Sequence, residues 1–229
     1  MRYIKWDEKE LTLAINLYFS IPFSKINYKN PDVIELAKIL NRTPSSVAFK
    51  LVNFARLDPE LKKRNISGMK HGAKSEILIW DKYYNNWDNL SIKAEEILYG
   101  YQINHDKDIQ QYDLINFPQE GKEKETLIKT RVNQNFFRAI VLASYESKCC
   151  ISGIDIPELL VASHIIPWSA DESKRMNPSN GLCLNVLYDK AFDRGLITIT
   201  NEYRVILSKR IKKAKENSFI KNYFIEIDG

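Results

Sequence analysis

Apolar residues in this chain keep a helical spacing up to about residue 147 and then abandon it. That switch constrains the fold more than any other feature, because side chains share a face at helical or at alternating spacing, not both. Leu11, Ile15 and Tyr18 mark a helix over about 7–20. Val33, Leu36, Ala37 and Leu40 mark a second one after Pro31. Thr43 is a good N-cap and Pro44 suits a first helical position. A third helix therefore runs from Ser45 to about Arg56, with Val47, Leu51 and Phe54 on one face. Residues 75–99 predict a further helix, and 126–147 another, with Val132, Phe136, Ile140 and Ala143 together. Between them, 101–125 holds Asn104, His105, Asp106, Asp108, Pro118 and Gly121 with broken periodicity, which predicts a linker.

Beyond residue 147 the apolar runs shorten. Leu159-Leu160-Val161 leads into Ser163-His164-Ile165-Ile166-Pro167-Trp168, and a polar loop follows over 169–181. Leu182-Cys183-Leu184 is a short strand, Leu187–Arg194 a helix, and 196–200 with 204–208 a hairpin turned at Asn201-Glu202. The fold class expected is α+β. It comprises a mainly helical N-terminal region over 1–100, a linker over 101–125 and a C-terminal domain over 126–229. With 8 Gly and 8 Pro in 229 residues the chain is neither collagen-like nor low-complexity. No apolar run approaches the ~18 residues of a membrane span, and no signal-peptide core follows the charged start, so a cytoplasmic location is expected. Cys149, Cys150 and Cys183 cannot form a disulfide framework and are expected to be reduced.

The net charge is +5, and its distribution is uneven. Within 42–74 eight cations (Arg42, Lys50, Arg56, Lys62, Lys63, Arg64, Lys70, Lys74) face two acids, Asp58 and Glu60. Such a patch attracts a polyanion. Two short helices joined by a tight turn, the second polar and basic outside, loosely resemble helix-turn-helix and Myb-like modules. On that reading Ser45, Ser46, Phe49, Lys50 and Asn53 form the DNA-facing side, with Lys62 and Lys63 on the phosphates. The alternative is a helical scaffold with a solvated lysine-rich surface. His71 and His105 sit in polar surroundings and are expected to be surface residues.

The chemistry concentrates near the C-terminus. Asp189 and Asp193 are spaced i, i+4, one turn apart on one helical face. Like charges there repel, and a hard cation such as Mg²⁺ or Mn²⁺ relieves the repulsion. A solvated pair flanked by Lys190 and Arg194 is the plain alternative. His164 closes a strand beside an apolar segment, where a histidine is also a common structural residue.

These residues carry a family resemblance. The stretch Cys150-Ile151-Ser152-Gly153 … Ala162-Ser163-His164-Ile165-Ile166-Pro167-Trp168 … Arg175-Met176-Asn177-Pro178-Ser179-Asn180-Gly181-Leu182-Cys183-Leu184 … Asp189-Lys190-Ala191-Phe192-Asp193-Arg194-Gly195-Leu196-Ile197 resembles an HNH endonuclease domain of the bacterial restriction-type subgroup. Arg131-Val132-Asn133-Gln134-Asn135-Phe136-Phe137-Arg138 also fits. The resemblance implies a ββα-metal fold, two strands and a helix around one divalent ion per site. It makes His164 the general base and Asn180 the residue that holds the loop. Asp189 and Asp193 become metal ligands. Ser163 stands where many relatives have an Asp or His ligand, so either its hydroxyl or a water completes the site. Paired CxxC motifs are absent, so no structural zinc is expected. Arg131, Gln134, Arg138 and Arg175 are candidates for the DNA backbone. The expected activity is hydrolysis of double-stranded DNA with Mg²⁺ or Mn²⁺, leaving 5′-phosphate and 3′-hydroxyl ends. A neutral imidazole suits it, since free histidine titrates near ~6.5. One site cuts one strand, so double-strand cleavage implies a homodimer or transient pairing. A monomeric nicking or repair nuclease and a non-catalytic DNA-binding protein on a degenerate scaffold remain alternatives.

Overall fold

The computed structural model of the chain describes residues 5–66, 68, 72–105 and 122–229. Helix α1 (Glu8–Ser20) starts on a reciprocal cap. The Asp7 carboxylate accepts from Glu10 N at 2.8 Å, and the Glu10 carboxylate accepts from Asp7 N at 2.8 Å. Glu10 also takes the Arg42 guanidinium in a fork at 2.7 Å on each oxygen, and Arg42 lies 4.3 Å over the Trp6 ring. This ties α1 to the turn between α2 (Pro31–Ile39) and α3 (Pro44–Ala55). The predicted cap is present: Thr43 Oγ1 accepts from Ser46 N at 3.2 Å ahead of Pro44. The expected inward side chains of α3, Val47, Leu51 and Phe54, are fully buried.

A short α4 (Pro59–Lys63) is capped by Asp58, whose other oxygen accepts from the buried Tyr18 hydroxyl at 2.7 Å. The helix predicted over 75–99 is two helices, α5 (Lys74–Tyr83) and α6 (Trp87–His105). They break where Asn85 takes φ of 64°, a left-handed conformation that asparagine tolerates. Helix α6 runs through Gly100, and α7 (Lys122–Ser144) begins inside the expected linker; the linker residues 106–121 lie outside the described residues. His71 and Lys70 lie outside them too. Tyr18, Phe19, Phe54, Trp80, Tyr84 and Trp87 form one aromatic core under these helices, with Phe19 and Trp87 edge to face at 4.8 Å.

The C-terminal part contains β1 (Leu160–His164) and β2 (Gly181–Asn185), antiparallel with His164 opposite Gly181 and Leu160 opposite Asn185. Asn185 caps α8 (Val186–Asp193), accepting from Leu187 N and Tyr188 N. Gly195, at φ of 61°, ends α8 through Gly195 N to Phe192 O and Leu196 N to Ala191 O, a Schellman motif that favours glycine there. The predicted hairpin is β3 (Ile197–Ile199) with β4 (Val205–Leu207). Short helices α9 (Lys209–Lys213) and α10 (Ser218–Tyr223) close the chain. The three cysteines are free, as expected. No helix among the described residues is long and apolar enough to cross a membrane.

One buried ionic cluster corrects the sequence reading. Lys50 and Asn53, expected to face DNA, are buried. Both turn to Glu76 of α5, which is fully buried. Lys50 Nζ pairs with Glu76 Oε1, Asn53 Nδ2 donates to the same oxygen at 3.2 Å, and Arg56 reaches Oε2 at 3.1 Å. A helix whose outer side looks polar by spacing hides two of its polar residues because a carboxylate from another helix meets them. Burial pushes the Glu76 carboxyl up, but Lys50, Arg56 and Asn53 outweigh it and hold it below its ordinary 4.5. A depressed carboxyl stabilises the fold above its unfolded value and loses that contribution as pH falls below it. Glu76→Ala leaves the Lys50 ammonium buried without a partner. It is expected to cost about 3–5 kcal/mol in urea unfolding at neutral pH, and the deficit should shrink below pH 4.5. A loss under about 1 kcal/mol would remove the cluster from the core.

Candidate active site

The site is assembled where β1 ends, where β2 begins and on α8. Successive strand side chains face opposite ways, so Ser163 and His164 diverge. Ser163 turns toward Asp189 on α8. His164 turns toward α7, where its ring stacks on Phe137 with centroids 3.9 Å apart and planes within 10°. Trp168 closes on it edge to face at 5.6 Å. The imidazole Nε2 lies 3.0 Å from the Arg175 carbonyl. A carbonyl only accepts, so this contact places the proton of a neutral ring on Nε2 and makes Nδ1 the acceptor.

Asn180 fixes the loop that carries that carbonyl. Its buried amide accepts from Ile166 N at 2.8 Å and donates to Ile166 O at 3.0 Å and Lys174 O at 3.2 Å. Its own carbonyl accepts from Ile165 N at 2.9 Å. Loop and strand end are thus stitched together from both sides of one side chain. Next to it, Gly181 permits a close approach of β2 to α7. A Cβ there would stand 2.3 Å from Val141 Cγ2 and 3.0 Å from Phe137 Cζ.

Asp189 and Asp193 lie one turn apart on α8, Asp189 half-buried and Asp193 exposed. Burial pushes the Asp189 carboxyl up and the Asp193 charge adds to this, against the Ser163 hydroxyl and Lys190. Ser163 Oγ is buried beside that carboxyl without a hydrogen bond of ordinary geometry. His164 and Asp193 line one cleft of about 360 Å³, floored by Phe192 and walled by Thr198, Ile206 and Ser208 of the hairpin and its exit. The donor set tests well for a divalent cation: two carboxylates that gain from a positive charge and a buried hydroxyl beside them are hard oxygen ligands. Among the described residues no three His, Cys, Asp or Glu side chains gather into one cluster.

Residues 149–200 match the HNH endonuclease family model HNH_2. This segment is an HNH endonuclease domain. No curated protein matches the chain. The matched segment supplies the expected ββα unit as β1, β2 and α8, and an HNH domain is a nuclease domain, which acts on DNA and generally with a divalent metal.

Around the HNH domain the expected DNA contacts divide. Arg131 and Gln134 are exposed on α7. Arg138 instead donates to Leu160 O at 2.7 Å and Pro157 O at 3.2 Å, holding the start of β1. Arg175 donates to Trp168 O at 2.7 Å, pairs with Glu172 at 3.0 Å and stacks over Trp168, so it builds the loop that orients His164. On α3, Ser45 is exposed and Ser46 half-buried, while Phe49 is exposed at 53 %. Lys62 and Lys63 are exposed on α4, Lys63 pairing with Glu60 at 2.8 Å. Sequence reasoning did not single out Phe137, the ring beneath His164. Its place beside Phe136 on an apolar helix gave no signal that it would serve the site.

Asp189 offers a test of the site's strain. A carboxyl raised by folding costs stability where it is ionised, and the cost vanishes as pH falls and it takes a proton. Asp189→Asn is therefore expected to raise the metal-free melting temperature at pH 7 while DNA cleavage falls at least about 100-fold. The thermal gain should shrink on acidification toward pH 4. A variant that melts earlier than the parent at neutral pH would show that the carboxylate is a structural group.

Proposed function

We propose that the chain is a divalent-metal-dependent DNA endonuclease of restriction type, with His164 as general base. The observation that carries the reading is the fixed tautomer of His164: Nε2–H is committed to the Arg175 carbonyl, the ring is clamped by Phe137, and Nδ1 is left as acceptor. A phosphodiester is anionic and resists attack by hydroxide. Nδ1 takes the proton of a water placed in line with the scissile P–O bond as the water oxygen bonds to phosphorus. The phosphorus–oxygen bond to the 3′-oxygen then breaks and that oxygen takes a proton from solvent water, leaving 5′-phosphate and 3′-hydroxyl ends, while Nδ1 later returns its proton to solvent. Asp189, Asp193 and Ser163 would hold Mg²⁺ or Mn²⁺, which when bound supplies neutralisation of the phosphate and the leaving oxygen. Asn180 keeps the Arg175 carbonyl in place, and so sets the direction of Nδ1. Arg131 and Gln134 meet the DNA backbone, while Arg138 and Arg175 act inside the protein.

One cleft cuts one strand, so a double-strand break needs two copies of the chain on one duplex, as a homodimer or by transient pairing. We assign the helical region, 1–100, to positioning the nuclease on DNA. Its α3 residues Ser45 and Phe49, exposed, and Ser46, half-buried, face the groove, and Lys62 and Lys63 of α4 the phosphates. Cleavage of plasmid by the full chain separates the forms of this reading. A linear product supports paired action, a nicked circle a monomeric nickase, and intact plasmid with Mg²⁺ present a non-catalytic DNA-binding protein.

His164→Ala is expected to lower the single-turnover cleavage rate 10²–10⁴-fold, the usual worth of a positioned base. DNA affinity should stay within about twofold, since the ring acts on water rather than on phosphate. Cleavage within tenfold of the parent would take the role of base away from His164. A chain shortened to begin at Lys122 leaves α7 without α1 and α6. It should fold poorly, shown by loss of a cooperative thermal transition, and cut weakly and indiscriminately. Cutting of the parent's own site with parent efficiency would move specificity into the HNH domain.

A further inference from the structure

The residues that follow the HNH match place a cationic element on the rim of its cleft. From Arg204 to Lys215 six cations occur and no acid. Leu207 and Ser208 line the cleft that holds His164 and Asp193, and Ser208 caps α9. Ile211 is buried and anchors that helix. With Ile211 inward, helical geometry turns Lys209 and Lys213 outward and puts Arg210 on their flank. Lys212 falls on the other flank, where it pairs with Asp228 at 2.7 Å. Lys209, Arg210 and Lys213 are exposed. None of the three has an ion-pair partner among the described residues.

Several lysines elsewhere on the surface sit beside an acid. Lys63 pairs with Glu60, Lys82 with Glu8, Lys93 with Glu96 and Lys174 with Asp171. On α9 two lysines sit i, i+4 with an arginine beside them, an arrangement in which like charges repel. A polyanion laid along the face removes that repulsion, and phosphates arranged along a strand suit a row of cations beside a cleft.

We propose that Lys209, Arg210 and Lys213 of α9 bind the phosphate backbone of duplex DNA and hold the cut strand across the cleft of His164 and Asp193. The assignment rests on the endonuclease reading of that cleft. It concerns a segment beyond the family match, and the three residues are positioning residues. The contact is with phosphate alone, so it acts on all sequences equally.

The test uses the full chain and a labelled random-sequence duplex, with anisotropy read over a series of salt concentrations in EDTA. The triple variant Lys209→Ala, Arg210→Ala, Lys213→Ala is expected to lose more than about tenfold in affinity at low salt. Its slope of log affinity against log salt should fall by about 2–3, close to one per lost phosphate contact. Cleavage at saturating DNA should stay near parent while the DNA concentration at half rate rises. Lys209→Arg with Arg210→Lys and Lys213→Arg should restore the parent slope. Lys212→Ala should change the slope by less than half as much as any one of the three. Should the triple variant melt early, Lys209→Gln alone, expected to lower the slope by about 1, carries the same test. A parent that binds and cuts beside a triple variant with unchanged affinity and slope overturns the role of α9 and leaves the nuclease reading standing. A parent that binds no duplex at any salt overturns both.

Discussion

The closeness of α7 to β2 is the constraint on which the rest of the site depends. At Gly181 the backbone of β2 comes so near α7 that a single Cβ would collide with Val141 and crowd Phe137. That spacing lets Phe137 lie flat against His164 at 3.9 Å, and lets Arg138, one residue on, reach the carbonyls of Leu160 and Pro157. One turn earlier the same helix is committed as well. Asn133 donates to Asp88 at 3.0 Å and accepts from Ser91 at 2.6 Å, both on α6. One helix therefore packs against α1 and α6 on the one hand and β1 and β2 on the other, and the position of Phe137 beneath the imidazole depends on how the N-terminal helices grip α7. Close packing transmits such positions, because interiors have few voids to absorb a shift.

The N-terminal region carries a second buried constraint of a different kind. Glu76 gathers Lys50, Asn53 and Arg56 from α3 onto α5. A buried ion cluster gives little net stability against an apolar one, but it fixes which helix faces which. Here it sets the rotation of α3, and with it the surface that remains outside: Ser45, Ser46 and Phe49 rather than Lys50 and Asn53. Any DNA reading by this helix has to work through small hydroxyls and one exposed ring. Its cations contribute from α4 instead, where Lys62 and Lys63 are exposed.

Much of this was legible in the sequence, and the failures share a cause. Thr43 before Pro44 marks a helix start by local chemistry, and the structure has the cap there. The change of period after residue 147 marks the strands for the same reason, and the Asp189–Asp193 spacing marks a helix face. The His164 and Asn180 positions came from the motif, and the structure stitches both to the loop of Arg175. What failed were polar side chains whose partners are distant in sequence. Lys50 and Asn53 look exposed until Glu76 arrives 26 and 23 residues later. Arg138 looks free for phosphate until the carbonyl of Leu160, 22 residues on, takes it. Helical spacing assigns polar residues outward and contains nothing about a buried carboxylate approaching from another element. The broken helix at Asn85 was missed because a single left-handed residue leaves the apolar spacing on each side intact.

The distribution of unpaired charge gives the final argument about the cleft. Several surface charges are neutralised by a neighbour: Lys63 by Glu60, Lys82 by Glu8, Lys93 by Glu96 and Lys174 by Asp171. Two charge sets near the cleft lack such a neighbour: Asp193, on its wall, adds to the burial that pushes the Asp189 carboxyl up, and Lys209 and Lys213 stand exposed on α9. Each arrangement on its own costs stability. Among the described residues no ion pair joins these carboxylates to those lysines. A fold that holds opposite charges on separate rims leaves room between them for a ligand that carries both signs. A phosphodiester accompanied by a divalent cation is such a ligand, with its cation toward the carboxylates and its flanking phosphates toward the lysines. The local rules of charge pairing are broken where a substrate can complete them, which is where functional sites depart from the rest of a sequence.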